Sequence, residues 1–379
     1  MPVADDDDFP KWARLTAERA AYFEKATNEG LFRLTEREIW WRDHADLLET
    51  HGYRLRPRFR PNWKPSWLGT DHDPYQSEDS AHLLKSQIID ATRIKDGKAV
   101  VIKRITNGAE EIRVSTFFST PERLKDRRNH CVPILDHFQD RTQHDLSFIV
   151  MPLLRKFDDP PFQSAGEVIE FMRQLLEGLE FMHEQNVAHR DLAKGNIMMD
   201  GHALFPKGFH PTSQMRDPST HYPAEPLRRR DVTELRYYII DFGISTTFTD
   251  PSEPRLVTGT MAQATNIPEL SDMKPYDPFA VDVYTLAHVF LDGFMATYTN
   301  FSYLLPLMKK MASIKPASRP TAAEARMEFE NIVRTVKGRT LRWPLRPREE
   351  GVIRRVVGTF AATAREAVFL ANSIFRDSH

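Results

Sequence analysis

One stretch constrains this chain more than any other. Residues 187–200 read VAHRDLAKGNIMMD: His189-Arg190-Asp191-Leu192, three residues, then Asn196, with apolar residues on either side. Downstream, the β-forming run Tyr237-Tyr238-Ile239-Ile240 leads into Asp241-Phe242-Gly243. Taken alone, HRD or DFG is an ordinary polar turn. The eight-position pattern HRDL-x-x-x-N, followed by an apolar strand and then DFG, is too specific for two unrelated turns.

This order resembles the catalytic-loop and metal-loop signature of eukaryotic protein kinases. The resemblance implies an α+β fold in two lobes, a small antiparallel β lobe with one helix and a large, mainly helical lobe. Phosphoryl transfer needs the attacking hydroxyl held in line and its proton accepted; by resemblance Asp191 does this, with His189 and Arg190 beside it in the catalytic motif. The cofactors implied are ATP and Mg²⁺. Mg²⁺ takes hard oxygen ligands, and Asp241 and Asn196 offer one carboxylate and one amide.

Further landmarks stand in the family's order. Val100-Val101-Ile102-Lys103 is close to the V-A-I-K strand, which makes Lys103 the ligand of the α/β-phosphates rather than a solvated strand end. Residues 109–119 are helix-capable. Glu111 is the best-placed ion-pair partner of Lys103, with Glu110 a near rival. Pro268-Glu269 stands in the place of A-P-E, with Ile267 for alanine. Asp282 opens a segment resembling the buried helix whose aspartate braces the catalytic loop. Arg319 resembles the late arginine that pairs with the A-P-E glutamate. Residues 129–136 and 146–151 read as the fourth and fifth strands. The resemblance then puts Met151 at the back of the adenine pocket and Pro152-Leu153-Leu154 in the hinge. Proline has no N–H, so a backbone donor to adenine comes from Leu153 or Leu154.

Two departures are visible. The family carries G-x-G-x-x-G upstream of the strand lysine, and the window 82–87 here reads HLLKSQ, without glycine. Serine/threonine kinases place a lysine two residues after the catalytic aspartate, where this chain has Ala193, with Lys194 one further on. The separation of Asn196 from Asp241 exceeds what a short hairpin needs and points to an insertion over about 201–235, a proline-containing surface loop. Its Arg228-Arg229-Arg230 reads as solvated, with phosphate or acidic-partner binding as the functional alternative. This insertion, the absent glycines and the phrases NHCVPILD, VMPLL and HRDLAKGNIMMD are similar to the kinase-like proteins of mushroom-forming fungi.

The flanks read as helical extensions. Thr35-x-x-Glu38 before Ile39-Trp40-Trp41 is a capping box opening a helix over about 36–49, ended near Gly52. A short helix fits about 12–26, and residues 53–75, with four prolines among aromatics, read as an extended arm covering the chain's own surface. A partner-docking role is the alternative for that arm. Residues 86–94 and 98–105 read as strands joined at Asp96-Gly97. A core helix fits 167–185 on the spacing of Val168, Met172, Leu175, Leu179 and Met182. After an arginine-rich stretch from Arg339 to Arg348, a basic helix is expected over about 349–375. The divisions expected are 1–79, a kinase-like domain over 80–335 (small lobe about 80–151, large lobe about 155–335) and 336–379.

Composition bounds the partners. A net charge of −1 gives no general case for nucleic acid, and membrane contact by the C-terminal helix is not expected, since its apolar face is thin. The acidic start, Asp5 to Asp8, is unlike a secretory signal, and the single cysteine, Cys131, admits no internal disulfide; cytoplasmic or nuclear placement follows. The expected function is ATP-dependent phosphorylation of protein hydroxyls, Ser/Thr first. A pseudokinase scaffold and a small-molecule phosphotransferase are the alternatives, with a protein substrate favoured by the Arg190, Pro268-Glu269, Asp282 and Arg319 platform.

Overall fold

The structure is a computed structural model and describes residues 9–250, 252–264 and 266–349. The expected helix over about 349–375, beyond its first residue, and the acidic run Asp5 to Asp8 lie outside the described residues. The chain divides into two compact units. One holds the chain up to Ile112 with Pro133–Arg155 and Asp200–Arg228, and the other holds Arg113–Val132, Lys156–Met199 and the chain from Arg229 on.

The first unit is built on a five-stranded antiparallel sheet. Its strands are β1 (Tyr53–Leu55), β2 (Ile88–Arg93), β3 (Ala99–Thr106), β4 (Asp136–Gln139) and β5 (Leu146–Pro152), in the order β1-β2-β3-β5-β4. In β3, Val100 and Ile102 are fully buried while Val101 and Lys103 are less completely so, the alternation a pleated strand imposes. Three helices precede the sheet: α1 (Ala17–Asn28), α2 (Glu36–Asp43) and α3 (Ala45–Thr50). Trp41 and Leu48 from α2 and α3 join Leu55, Phe59, Ile89, Val100, Ile102, Phe148 and Val150 in one buried cluster.

The capping box forms as expected. Thr35 Oγ1 accepts the Glu38 N–H, and the Glu38 carboxylate accepts the Thr35 N–H at 2.8 Å. The single helix expected over 36–49 is instead two, interrupted at His44, whose backbone leaves the helical region at φ −99°, ψ 2°. His44 Nδ1 donates to the Trp40 carbonyl at 2.7 Å and the ring stacks on Trp40. These side-chain contacts take over from the helical ladder at that point.

Two further expectations are corrected. The fourth strand is Asp136–Gln139, not 129–136: Pro133 removes a ladder donor, and the preceding residues make only an isolated bridge from Cys131 to Ile239. The stretch expected as an arm starts with a strand, since Tyr53–Leu55 pairs with β2 in the register Tyr53↔Arg93 to Leu55↔Ala91. Neighbouring antiparallel strands are usually joined by two to five residues. Here residues 56–87 make the connection. They leave and return at the end of the sheet where Ile88 pairs with Lys103, and they contain one glycine, Gly69.

The insertion is more than a surface loop. Within the first unit its Leu204, Phe205, Phe209 and His210 are buried. The Arg155 guanidinium lies 4.1 Å over Phe205 and 5.0 Å over Phe209. His210 Nε2 meets Glu78 at 3.1 Å, and Glu78 accepts from Arg56, which also pairs with Asp90 at 2.7 Å.

The second unit is organised on α6 (Ala165–Glu184), reached after α4 (Glu110–Phe118), which begins in the first unit, and α5 (Pro121–Leu124). Ser164 and Glu167 form the α6 capping box, and the apolar stripe expected from the sequence is buried. A side chain at Gly178 would bring its Cβ within 2.8 Å of His130, so the close approach here requires glycine. Next come α7 (Pro278–Phe290), α8 (Leu305–Met311) and α9 (Ala322–Thr335). Arg173–Glu330 and Arg326–Glu180 ion pairs tie α9 to α6. The triple arginine is not uniformly solvated: Arg229 is buried and donates to Phe157 O at 2.7 Å and the Tyr237 hydroxyl at 2.8 Å.

Candidate active site

Two groups of the expected residues occur, one in each unit. In the first, β3 delivers Lys103 opposite Ile149 and Val101 opposite Met151. Lys103 Nζ lies 2.6 Å from Glu111 Oε1, on the first turn of α4. Both side chains are largely buried, which strengthens a charge pair relative to water. Of the two candidate glutamates, this pair is made by Glu111. Pro152 closes the β3–β5 ladder opposite Val100; Leu153 and Leu154 follow it and are buried, and the Leu154 carbonyl accepts from Gln214 of the insertion at 3.0 Å.

In the second unit the pairing of Ile197–Met199 with Tyr237–Ile239 fixes the end of the His189–Asn196 stretch. The Asn196 carbonyl accepts the Ile240 N–H at 2.9 Å, which sets Asp241 next in the chain at the same end of the strand pair. Asn196 Nδ2 donates to Asp191 Oδ2 at 2.8 Å and to the Asp191 carbonyl at 2.9 Å. The amide is thereby oriented with its nitrogen on Asp191, leaving Oδ1 as its remaining acceptor. The amide oxygen and the exposed Asp241 carboxylate are each hard-oxygen donors of the kind Mg²⁺ takes. Among the described residues no group of three or more His, Cys, Asp or Glu could hold a metal.

The loop backbone is held from below. Asp282, fully buried on α7, accepts the His189 N–H at 2.7 Å and the Arg190 N–H at 2.6 Å, and meets His183 Nε2 at 3.1 Å. That clamp holds Arg190 in the left-handed region, at φ +69°, a conformation uncommon outside glycine. His189 Nδ1 accepts the Asp191 N–H at 3.2 Å while Nε2 donates to the Ile240 carbonyl at 3.1 Å, so the ring joins the HRD stretch to the strand before Asp241. Phe242 is buried between His189 and Phe118. The Arg190 guanidinium donates to Thr246 Oγ1 at 3.2 Å and the Thr258 carbonyl at 3.0 Å. Arg319 and Glu269 make a two-pronged ion pair, one prong 2.9 Å, with the Arg319 side chain fully buried.

Lys194 turns to Asp158, at 2.7 Å, rather than to Asp191. The contact missed in the sequence is Gln263. Its N–H donates to Asp191 Oδ1 at 2.6 Å and its side-chain amide to Oδ2 at 3.0 Å. No local pattern marks a glutamine 72 positions from the aspartate it touches. Cys131 is buried, and burial pushes its thiol well above the usual range, which removes it as a nucleophile at neutral pH.

A model of the protein kinase domain matches residues 85–303, more than half of the chain, and the chain belongs to the protein kinase family. Over 114 residues it is 36% identical to Cell division control protein 2 homolog 1 of Trypanosoma brucei brucei, covering 29% of this chain and 38% of that protein. Over 118 residues it is 27% identical to the probable serine/threonine-protein kinase zyg-1 of Caenorhabditis elegans, covering 30% of this chain and 16% of that one. A probable myosin light chain kinase of Dictyostelium discoideum is 24% identical over 215 residues, 54% of this chain and 46% of its own. The chain thus spans less than half the length of these relatives. No helix among the described residues is long and apolar enough to cross a membrane.

Proposed function

We propose that this chain transfers the γ-phosphoryl group of ATP to Ser or Thr hydroxyls of a protein substrate, with residues 80–335 as the catalytic domain. The observation that carries the reading is the 2.6 Å Lys103–Glu111 pair, an arrangement protein kinases need for phosphate alignment. Lys103 would hold the α/β-phosphates, and Asp241 and Asn196 would hold Mg²⁺, which supplies charge neutralisation at the phosphates. Asp191 orients the acceptor hydroxyl and takes its proton. His189 fixes the loop, Arg190 ties it to the segment after DFG, and Met151, Leu153 and Leu154 line the adenine end. The insertion and the phrases NHCVPILD, VMPLL and HRDLAKGNIMMD support a place among the kinase-like proteins of mushroom-forming fungi.

A second reading, a pseudokinase scaffold, is favoured by the glycine-poor connection over 56–87. Heating the purified chain with and without Mg²⁺·ATP separates the two. A ligand that binds only the folded state raises its melting temperature. The expected result is a clear rise, mostly lost in Asp241→Ala, together with phosphate transfer to a mixed protein substrate. No rise at millimolar nucleotide would support the scaffold.

A further inference from the structure

The insertion brings one side chain to the backbone just past β5. Gln214 Nε2 donates to the Leu154 carbonyl at 3.0 Å, and the Gln214 carbonyl accepts from the Arg155 guanidinium. All three residues belong to the first unit. Gln214 is the first corner of a turn closed by the Arg216 N–H on the Ser213 carbonyl at 2.7 Å. His210 pins that turn from both ends: its Nδ1 accepts the Ser213 N–H at 3.0 Å, and its backbone N–H donates to the Arg216 carbonyl at 2.9 Å. His210 is itself buried against Glu78. The place of Gln214 is therefore set by contacts other than its own side chain.

A carbonyl only accepts, so the amide nitrogen of Gln214 faces Leu154 and Oε1 is left as an acceptor. Among the described residues no donor reaches Oε1. The N–H groups of Leu153 and Leu154 likewise meet no acceptor among the described residues, although both residues are buried. Buried N–H groups are nearly always paired, with protein, water or ligand. We propose that Gln214 is the base-selecting residue of this enzyme. An N–H of Leu153 or Leu154 donates to a ring nitrogen of the purine, and Gln214 Oε1 accepts from the exocyclic 6-amino group beside it. The proposal rests on the reading of ATP as the phosphoryl donor. Adenine carries an amino donor where guanine carries an oxygen acceptor. A fixed amide oxygen pairs with the first and leaves the second facing another acceptor, the arrangement by which a polar site rejects the wrong ligand. The insertion thereby gains a task in nucleotide choice.

Calorimetric titration of the unaltered chain, Gln214→Lys and Gln214→Arg tests this, with Mg²⁺·ATP and with the Mg²⁺ complex of purine riboside triphosphate, which lacks only the 6-amino group. Lysine and arginine can still donate to the Leu154 carbonyl but accept nothing, and their charge acts on both triphosphates alike. The unaltered chain should bind ATP about tenfold more tightly than the analogue, the worth of one hydrogen bond, and the variants should bind the two equally. Gln214→Arg decides the matter if Gln214→Lys fails to fold, which melting without nucleotide reports. Equal affinities in the unaltered chain, or a preference for ATP kept in a folded variant, overturn the proposal alone. No binding of either triphosphate by the folded unaltered chain removes the ATP reading, and the proposal with it.

Discussion

Single residues carry more than one duty here, and Glu38 is the plainest case. It closes the α2 capping box, pairs with Arg58 at 2.9 Å and accepts the Leu83 N–H at 3.1 Å, all at zero exposure. Burial pushes its carboxyl up, but the Arg58 hydrogen bonds and the Thr35 and Leu83 N–H groups outweigh this and bring it down to about 2. A folded-state value below the unfolded one stabilises the fold above the unfolded pKa, and that stability is lost as pH falls through about 4.5 towards 2. The contribution is about 3 kcal/mol. Glu38→Gln should therefore be markedly less stable than the unaltered chain at pH 7 and nearly equal to it near the acid end of that window. Melting curves across that range check it, and a constant gap would exclude the linkage. At Asp191 the chemistry sets the expectation: Asp191→Asn should keep Mg²⁺·ATP binding, read as a thermal shift, while turnover falls by about two to four orders of magnitude, the range for a lost general base. Turnover unchanged by that substitution would move the acceptor site elsewhere.

Elements that announce themselves locally were legible in the sequence; elements fixed by distant contacts were not. The stripe of α6 and the Thr35 and Asp96-Gly97 signals needed only near neighbours. The break at His44 depends on Trp40 and on Asp140, 3.6 Å away on another part of the chain, and helical periodicity runs straight through it. Residues 129–135 have strand composition, yet Asn129 uses its side chain to hold the Phe118 carbonyl at 2.9 Å and caps the Cys131 N–H at 3.1 Å, so the segment is fixed without a ladder. The ion pair of Glu269 and Arg319 was legible through motif order alone. It joins the segment before Ser271–Tyr276 to the turn before α9, and Arg319 also donates to the Ser313 and Ala280 carbonyls at 2.8 and 2.9 Å. Breaking a buried pair by removing one partner costs about 3–5 kcal/mol, because the other charge stays buried. Glu269→Ala and Arg319→Ala should each destabilise by that order. The double variant should cost much less than their sum, since the two share one interaction. Strict additivity in denaturant unfolding would show that the pair contributes nothing as a pair.

At the scale of the whole molecule, the part of the chain that matches the family holds four strands of the sheet but not its edge strand β1 or the helices that complete its core. The match covers 85–303. The edge strand Tyr53–Leu55 and the helices that supply Trp41 and Leu48 to the sheet core lie before it. The strand's pairing joins Tyr53 to Arg93, far along the sequence, and no motif marks that strand, which is why the stretch from Tyr53 read as an arm. Burying a large apolar side chain is worth about 1.5–3 kcal/mol. Trp41, Leu48, Leu55 and Phe59 together then approach the about 5–15 kcal/mol that holds a typical domain folded. Loss of β1 also bares the β2 edge, and loss of Arg56 leaves Asp90 buried without its cation. A chain trimmed to 85–303 should therefore fail to keep the sheet, even where its helices persist. Hydrogen exchange followed by mass spectrometry reads this directly. Amides of Ala99–Thr106 and Leu146–Pro152 should be strongly protected in the full chain and exchange at nearly unfolded rates in the trimmed one. Equal protection in the two chains would mean that residues before 85 decorate the sheet rather than complete it.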